Sequence, residues 1–364
     1  MASPSGAPTG SGKRRPTISD VARAAGVAKS AVSYALNDKP GVSKEKRRHI
    51  LAVAERIGWQ PSSAARALMG TRVGLMGLVL NRPARLLGLE PFYMELISGM
   101  QEVLGPLDIA LALQIVEAGP DELAVYRGWA AKREVDAVVV TDISQRDPRL
   151  ALLRDLGLPA VVLSPPLAEA DPTGFGPPEQ ASAMPWLWTD DITGMRMALR
   201  YLVALGHRQI ARVAGISRYL HTAARTTALR QEAERLGLPE PAILTTDYSQ
   251  EQGADATRSL LIGQPRPTAI IYDNDVMAAT ALQVARELRL EVPRQLSVIA
   301  WDDSMIAHLT APKLTSIKVD VHAYGMRVAS ALDGLAGGSL VESGPFGLAG
   351  LEVRDSTGAA PEAA

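Results

Sequence analysis

The chain has 364 residues, 47% apolar and 21% charged, the balance of a soluble globular protein too long for a single core, so two or three domains are expected. It has no cysteine and only five histidines, none in an HxH or HExxH arrangement, which excludes disulfide and thiolate chemistry and leaves a histidine metal site without support. The formal net charge of −1 is unevenly divided: residues 1–72 hold 13 Lys and Arg against 4 Asp and Glu, leaving 25 against 35 for the remainder. A basic module that suits a polyanion therefore precedes an acidic body.

Residues 1–16 are rich in Ser, Gly, Pro and Ala and end near Lys13-Arg14-Arg15; they read as a disordered basic tail. No apolar run follows those charges, so a secretory signal is not expected. The longest apolar stretch, 73–80, is far short of a membrane span. The expected location is cytoplasmic and nucleoid-associated, with no membrane partner.

From residue 17 the pattern turns helical. Thr17 is placed to cap a first helix in which Ile18, Val21, Ala22 and Ala25 share one face. Gly26 supplies a tight reversal. A second helix, about 28–36, turns Val32, Ala35 and Leu36 inward and Lys29, Ser30, Ser33, Tyr34 and Asn37 outward. That outward face is polar and free of acid, so it does not repel phosphate. A third helix begins after Ser43; Ile50, Leu51, Ala54 and Ile57 are its expected inner stripe, with Lys44, Lys46, Arg47 and Arg48 in its first turns. The three make a helix-turn-helix with a supporting helix, whose second helix would enter a major groove. Any small three-helix bundle shares this spacing, but not the concentration of positive charge. Residues 62–70 (beginning Ser62-Ser63-Ala64-Ala65-Arg66-Ala67-Leu68) are too few for a stable isolated helix. They fit either a plain linker or a hinge that folds on DNA, with Leu68 as a wedge at a minor-groove base step.

The stretch resembles the headpiece of the lactose-repressor (LacI/GalR) family of bacterial transcription regulators. The resemblance rests on the start Thr17-Ile18-x-Asp20-Val21-Ala22, the Val32-Ser33-x-x-Leu36-Asn37 helix, and the Pro61…Ala65-Arg66-x-Leu68 hinge. It implies a helix-turn-helix domain over 17–61 and a hinge helix over 62–70. It implies DNA contacts by Thr17, Lys29, Ser30, Ser33, Tyr34, Asn37, Ser62, Ala65, Arg66 and Leu68. Lys29, Ser30 and Tyr34 would read bases, the lysine by donating to guanine O6 and N7. Several positions depart from the family pattern. Ala28 stands where a serine usually caps the reading helix, a loss of roughly 1 kcal/mol. Ala31 replaces a threonine, Tyr34 an arginine and Ser62 an asparagine. Operator sequence, rather than DNA binding itself, is what these changes alter.

Beyond residue 73, short apolar runs alternate with amphipathic segments. Strands are expected at 73–80, 109–116, 135–141 and 160–163, with helices at 91–104, 121–133 and 148–156. Residues 164–186 lack periodicity and read as a long exposed loop. A second series has helices at 192–205, 223–236, 250–262, 276–288 and 324–336, and strands at 210–214, 242–245, 269–272 and 297–301. Such alternation gives parallel, doubly wound sheets. The expected fold is therefore an α-helical helix-turn-helix headpiece plus an α/β two-lobed, periplasmic-binding-protein-like effector and dimerisation domain over 73–357. Its N-lobe is expected at about 73–187 and 317–339, its C-lobe at about 190–314 and 340–357, with a tail at 358–364. That tail lacks a leucine heptad, so a tail-built tetramer is not expected.

The family resemblance continues through Leu205-Gly206-His207-Arg208, Pro267-Thr268-Ala269-Ile270, Val298-Ile299-Ala300-Trp301-Asp302-Asp303, Pro312-Lys313-Leu314-Thr315 and Arg354-Asp355-Ser356-Thr357. It implies that Arg225, Asn274 and Asp302 contact an effector, with Asp142, just past a strand end, as a weaker candidate. A charged donor, an amide and carboxylates suit the hydroxyls of a sugar or similar polar molecule. Structural alternatives remain: Asn274 as a helix cap, Asp302 in a salt bridge, Arg225 on the surface. Ala228, Ala300 and Trp301 depart from the family's Gly, Gly and Phe or Tyr, which reshapes the pocket. The reading is a sequence-specific regulator, a repressor, acting as a homodimer on a palindromic double-stranded operator under allosteric control, with no cofactor and no metal. A transport solute-binding protein shares the two-lobed fold but would carry a secretory signal and no headpiece. An enzyme finds no P-loop, no GxSxG and no metal cluster in its favour.

Overall fold

The computed structural model describes residues 16–36, 40–59, 72–83, 88, 90–117, 119–165 and 184–362. The candidates Asn37, Ser62, Ala65, Arg66 and Leu68, and most of the expected loop at 164–186, lie outside these. The chain divides into two compact units, Met1–Val73 and Gly74–Ala364.

In the first unit α1 (Ile18–Ala25), α2 (Lys29–Leu36) and α3 (Lys44–Arg56) enclose a small core. Val21, Val32 and Ile50 are fully buried at its centre. Each contributes roughly 1.5–3 kcal/mol from the apolar surface it removes from water. Asp20 closes the start of α1: its carboxylate accepts from the Thr17 backbone N–H at 2.8 Å and from the Thr17 hydroxyl at 2.6 Å. Gly26 ends the helix at φ +66°, a conformation that costs glycine little. The expected stripe of α3 needs one correction. Leu51 is 44% exposed, and Val53 takes its place beside Ile50 and Ala54. The spacing 50, 53, 54, 57 is the true 3.6-residue face.

The second unit holds two six-stranded sheets. The first comprises β1 (Leu75–Asn81), β2 (Ala110–Val116), β3 (Ala137–Val140), β4 (Ala160–Leu163), β5 (Trp186–Thr189) and β11 (Gly344–Phe346). They lie in the order β2-β1-β3-β4-β5-β11, all parallel. The second comprises β6 (Ile210–Ala214), β7 (Ala242–Thr245), β8 (Ala269–Tyr272), β9 (Ser297–Asp302), β10 (Thr315–Lys318) and β12 (Gly350–Glu352). Its order is β7-β6-β8-β9-β10-β12, with only β12 antiparallel. Central strands such as β3 and β8 are buried at every residue, because helices cover both faces of a parallel sheet.

Around the first sheet run α4 (Pro91–Leu104), α5 (Gly119–Lys132), α6 (Pro148–Leu156) and, from far along the chain, α12 (Val321–Ala336). Helices α4 and α12 cross at glycines. A Cβ at Gly99 would stand 1.9 Å from the His322 carbonyl oxygen, and one at Gly325 2.2 Å from that of Leu96. Around the second sheet run α7 (Asp191–Ala204), α8 (Leu220–Arg235), α9 (Gln250–Ile262), α10 (Asp275–Glu287) and the short α11 (Met305–Leu309). The chain passes between the lobes at 189–191, 318–321 and 346–350.

The expected lobe boundaries shift at three places. Ile317 and Lys318 belong to β10 of the second sheet, not to the N-lobe. Residues 344–346 pair with β5 in the first sheet, not the second, because an edge strand there covers an otherwise open ladder. Residues 358–360 are no free tail: the Gly358 carbonyl accepts from His207 at 3.1 Å, and the Ala360 N–H bonds Leu205 at 2.8 Å. The ends of the expected loop are also tucked in, with Ser164 and Met184 buried and Trp186 already in β5. With only three apolar residues, next to a Pro-, Gly- and Ser-rich run, this strand gave too short an apolar run to read.

Candidate functional site

In the first unit, Lys29, Ser30 and Tyr34 are exposed along one side of α2, and Ser33 is half-buried. The Tyr34 ring lies against Gly41, where a Cβ would come within 3.2 Å, so the turn after α2 orients the ring. The first turn of α2 contains no acid, which leaves the partial positive charge of its N-terminus uncompensated. Thr17 differs from the other candidates. Both its donors are used by Asp20, so its first task is to fix the start of α1.

In the second unit, strand order reverses between β1 and β3 in one sheet and between β6 and β8 in the other. Ligands bind at the carboxyl ends of such strands, where neighbouring connections diverge. The cleft found there encloses about 880 Å³ of atom-free space, its open mouth included. Asp142, Arg225, Asn274 and Asp302 all line it. The structure thus gathers four residues from four separate elements.

They are not equivalent. Arg225, in α8, has its Nε and Nη2 on Asp191 at 2.9 and 2.8 Å and its Nη1 on the Asp273 carbonyl at 3.3 Å. Its guanidinium stacks 4.0 Å above the Trp301 ring, a cation–π contact. Burial opposes its charge, but Asp191 and Asp273 raise its pKa above the usual arginine value. Asp273 is clamped by Arg212 at 2.6 and 2.8 Å and by the Gly215 N–H at 2.9 Å, deep in the lobe. Asn274 is the N-cap of α10: its Oδ1 accepts from Met277 N–H at 2.9 Å and its Nδ2 donates to the Tyr248 carbonyl at 3.2 Å. Both ends of the amide are used within the protein, so it orders the wall of the cleft.

Asp302 ends β9 at φ +85°, an uncommon conformation for a non-glycine residue. Its side chain has no hydrogen-bond partner among the described residues. Burial, reinforced by Asp275 and outweighing Arg225, pushes its carboxyl up to about 8. A half-buried, unpartnered carboxyl at a strand end, facing the cleft, is a ligand-contact candidate on physical grounds.

Asp142 sits across the cleft in a network absent from the sequence reading. Arg82, just past β1, donates to Asp142 at 2.9 Å, to Glu90 at 2.9 Å and to the Tyr93 hydroxyl at 3.2 Å. Tyr93 donates in turn to Asp142 at 2.8 Å. Burial opposes ionisation of Asp142, but Arg82, His221 and the Tyr93 hydroxyl together hold it below the usual carboxylate range. Glu90 keeps only one such partner, and burial lifts it to about 7.

Arg82 also stacks on Tyr248 from the other lobe, 5.3 Å from the ring centre. Tyr248 is bonded to His221 Nε2 at 2.8 Å, and burial and the nearby Arg225 charge hold His221 below its ordinary value. Gly215 makes room for the tyrosine: a Cβ there would fall 1.9 Å from Tyr248 Cζ. Beside this stack the lobes touch through the backbone, Leu220 N–H to the Ile143 carbonyl at 2.8 Å. One signal could have found Arg82: it follows a strand end, as Asp142 does. Nothing local marked His221 or Tyr248.

Residues 17–62 match the family described as "Bacterial regulatory proteins, lacI family", and residues 199–357 the "Periplasmic binding protein-like domain". Among curated relatives, the HTH-type transcriptional regulator reg1 of Streptomyces lividans is 30% identical over 355 residues, 94% of this chain and 97% of that protein. The HTH-type transcriptional regulator CelR of Thermobifida fusca is 29% identical over 322 residues, 88% of this chain and 92% of that protein. The solved structure of a transcriptional regulator CelR–cellobiose complex superposes with a TM-score of 0.70 at 27% identity, over 94% of this chain and all of that one.

Proposed function

This chain belongs to the lacI family of bacterial regulatory proteins, and from that premise we propose that it is a homodimeric repressor of a palindromic operator, released or retained by a small polyhydroxylated effector. The observation that carries the reading is the pairing, in one chain, of a helix-turn-helix with an acid-free outward face and a ligand-sized cleft at two strand-order reversals. One headpiece reads a half-site, so two-fold symmetry and a palindrome go together. The DNA contacts are Lys29, Ser30 and Tyr34, supported by Thr17, Ser33 and Asn37. A hinge of Ser62, Ala65, Arg66 and Leu68 enters the minor groove.

In the cleft, Asp302 hydrogen-bonds the hydroxyls of the effector while Asp142 and Arg225 hold the two walls, and Asn274 braces Tyr248. An effector that fits one degree of lobe closure better than another shifts the population towards it. That shift governs whether paired hinges form on DNA. The cellobiose bound by the solved relative supports a sugar as the effector class.

The test is selection of duplexes from a random pool by the purified chain, followed by release of the selected duplex with a panel of sugars. The expected outcome is an inverted repeat whose retention changes with one sugar. Sequence-independent retention that ignores every sugar would refute the reading.

A further inference from the structure

We infer that the cleft is built for an electrically neutral, hydroxyl-rich ligand and turns away phosphorylated and carboxylated ones, Arg82 being the residue whose neutralisation sets this choice. The inference rests on the cleft being the effector site and names the class of effector it takes.

Among the described residues, the cations lining the cleft are Arg82 and Arg225. An anionic ligand is normally recognised by a guanidinium that offers two parallel donors. Neither arginine has them free. Arg225 has Nε and Nη2 on Asp191, Nη1 on the Asp273 carbonyl, and one ring face covered by Trp301. Arg82 has Nη1 on Glu90 and Nη2 on Asp142 and Tyr93, and is sandwiched between the rings of Tyr93 and Tyr248 at 5.1 and 5.3 Å. Two of its five N–H groups have no partner among the described residues, the buried one at Nε and the second on Nη1, and these two do not lie parallel. Separate, non-parallel donors suit hydroxyl oxygens, not the paired oxygens of a phosphate or carboxylate.

The acids point the same way. Glu90, Asp142, Asp191, Asp273, Asp275 and Asp302 all line the cleft, six carboxyls against its two guanidiniums and the Arg212 that serves Asp273 from behind. Asp302 has no partner among the described residues, and Asp275 has one oxygen on the Ser304 N–H at 2.6 Å and the other buried without a partner. Ionised, each accepts from a donor; protonated, each can donate or accept, and in either state it suits a hydroxyl. Burial already lifts Asp302 to about 8 and Asp275 and Glu90 to about 7: the site is short of positive charge for the acids it holds. A further negative charge competes with acids that already share too few cations, and like charges cost most where burial limits solvent. A neutral polyol meets carboxyls that can accept or donate, the unpaired Arg82 N–H groups and an aromatic wall that includes Phe92 and Trp188.

The experiment is calorimetry of the full chain against matched ligands: glucose, cellobiose and maltose, glucose 6-phosphate, glucuronate, and glucosamine. The expected result is binding by a neutral member, with its phosphate or carboxylate twin weaker by on the order of 100-fold. In the double variant Glu90→Gln/Asp142→Asn, which frees Arg82, the gap to the anionic twin should narrow at least about tenfold. Anionic twins that bind as well as neutral ones overturn the inference. So does tighter binding of glucosamine than of glucose, which would make the class cationic. Silence of every neutral sugar also overturns it. Operator retention by mobility shift, measured without any sugar, separates that failure from failure of the regulator reading. Should the double variant melt below wild type by circular dichroism, the single Glu90→Gln change and the wild-type panel still decide the matter.

Discussion

Replacing Asp302 with asparagine should make the protein more stable and weaken its hold on the effector at once. Burial moves the carboxyl from its ordinary 3.8 to about 8. Its folded-state pKa is thus raised, so the wild type is best off below about pH 4 and loses stability steadily as pH climbs towards 8. One pKa unit is worth about 1.4 kcal/mol, and about three units are expressed at pH 7, a raw penalty of about 4 kcal/mol. Solvent reaches part of this side chain and screens its charge, which brings the expected penalty to about 2 kcal/mol. Asparagine keeps the shape and removes the charge. For a unit of this size the gain amounts to a rise in Tm of about 4 °C at pH 7, and it should roughly triple between pH 5 and pH 8. Scanning calorimetry of the full chain in matched buffers at both values measures it. The same variant should bind effector roughly 2- to 10-fold more weakly at pH 7, the value of a hydrogen bond to the largely neutral carboxyl that a group lifted to about 8 presents there. A Tm gain that is identical at pH 5 and pH 8, or no gain at all, would refute the assignment of an uncompensated charge to Asp302.

Arg212→Ala strands the fully buried Asp273, whose carboxylate has as its other partners among the described residues the Gly215 N–H and the distant edge of Arg225; a loss of about 3–5 kcal/mol is expected, read by thermal melting, and the double change Arg212→Met/Asp273→Asn should recover part of it. Gly215→Ala drives a methyl into the Tyr248 ring, 1.9 Å from Cζ, and so should break the His221 bond and the Arg82 stack; calorimetry should find effector affinity down at least about tenfold with operator affinity unchanged. Lys29→Ala should cost about 1–3 kcal/mol on the selected operator and relax the choice of base at one symmetric pair of positions, measured by mobility shift across a set of mutated duplexes. Wild-type operator affinity should fall steeply and log-linearly with salt, because phosphate contacts release counterions; a flat response in fluorescence anisotropy would count against the headpiece as the DNA-binding surface.

Some of this protein is local in the chain, and the sequence carries it. The capping of α1 by Thr17 and Asp20, the reversal at Gly26 and the acid-free face of α2 depend on residues within a turn of one another. So does the strand–helix alternation of the body, since a buried parallel strand is a continuous apolar run. Strand ends are local too, which is why Asp142 and Asp302 could be placed at one. Even locally the reading fails where two faces compete, as at Leu51 and Val53, or where an apolar run is as short as that of β5.

What only the tertiary structure decided is how the charges of the cleft are shared out. Arg82 and Asp142 are 60 residues apart, Arg225 and Asp191 34, and no spacing in the chain tells that these arginines are already spent. The pairing of β11 with β5, and of residues 358–360 with α7, likewise joins segments about 150 residues apart. A residue's type fixes what it can donate or accept; which partner takes it is set by the two sheets whose strand ends line one cleft. There a buried charge must be matched or left costly. In this chain the one left unmatched at the end of β9 is Asp302.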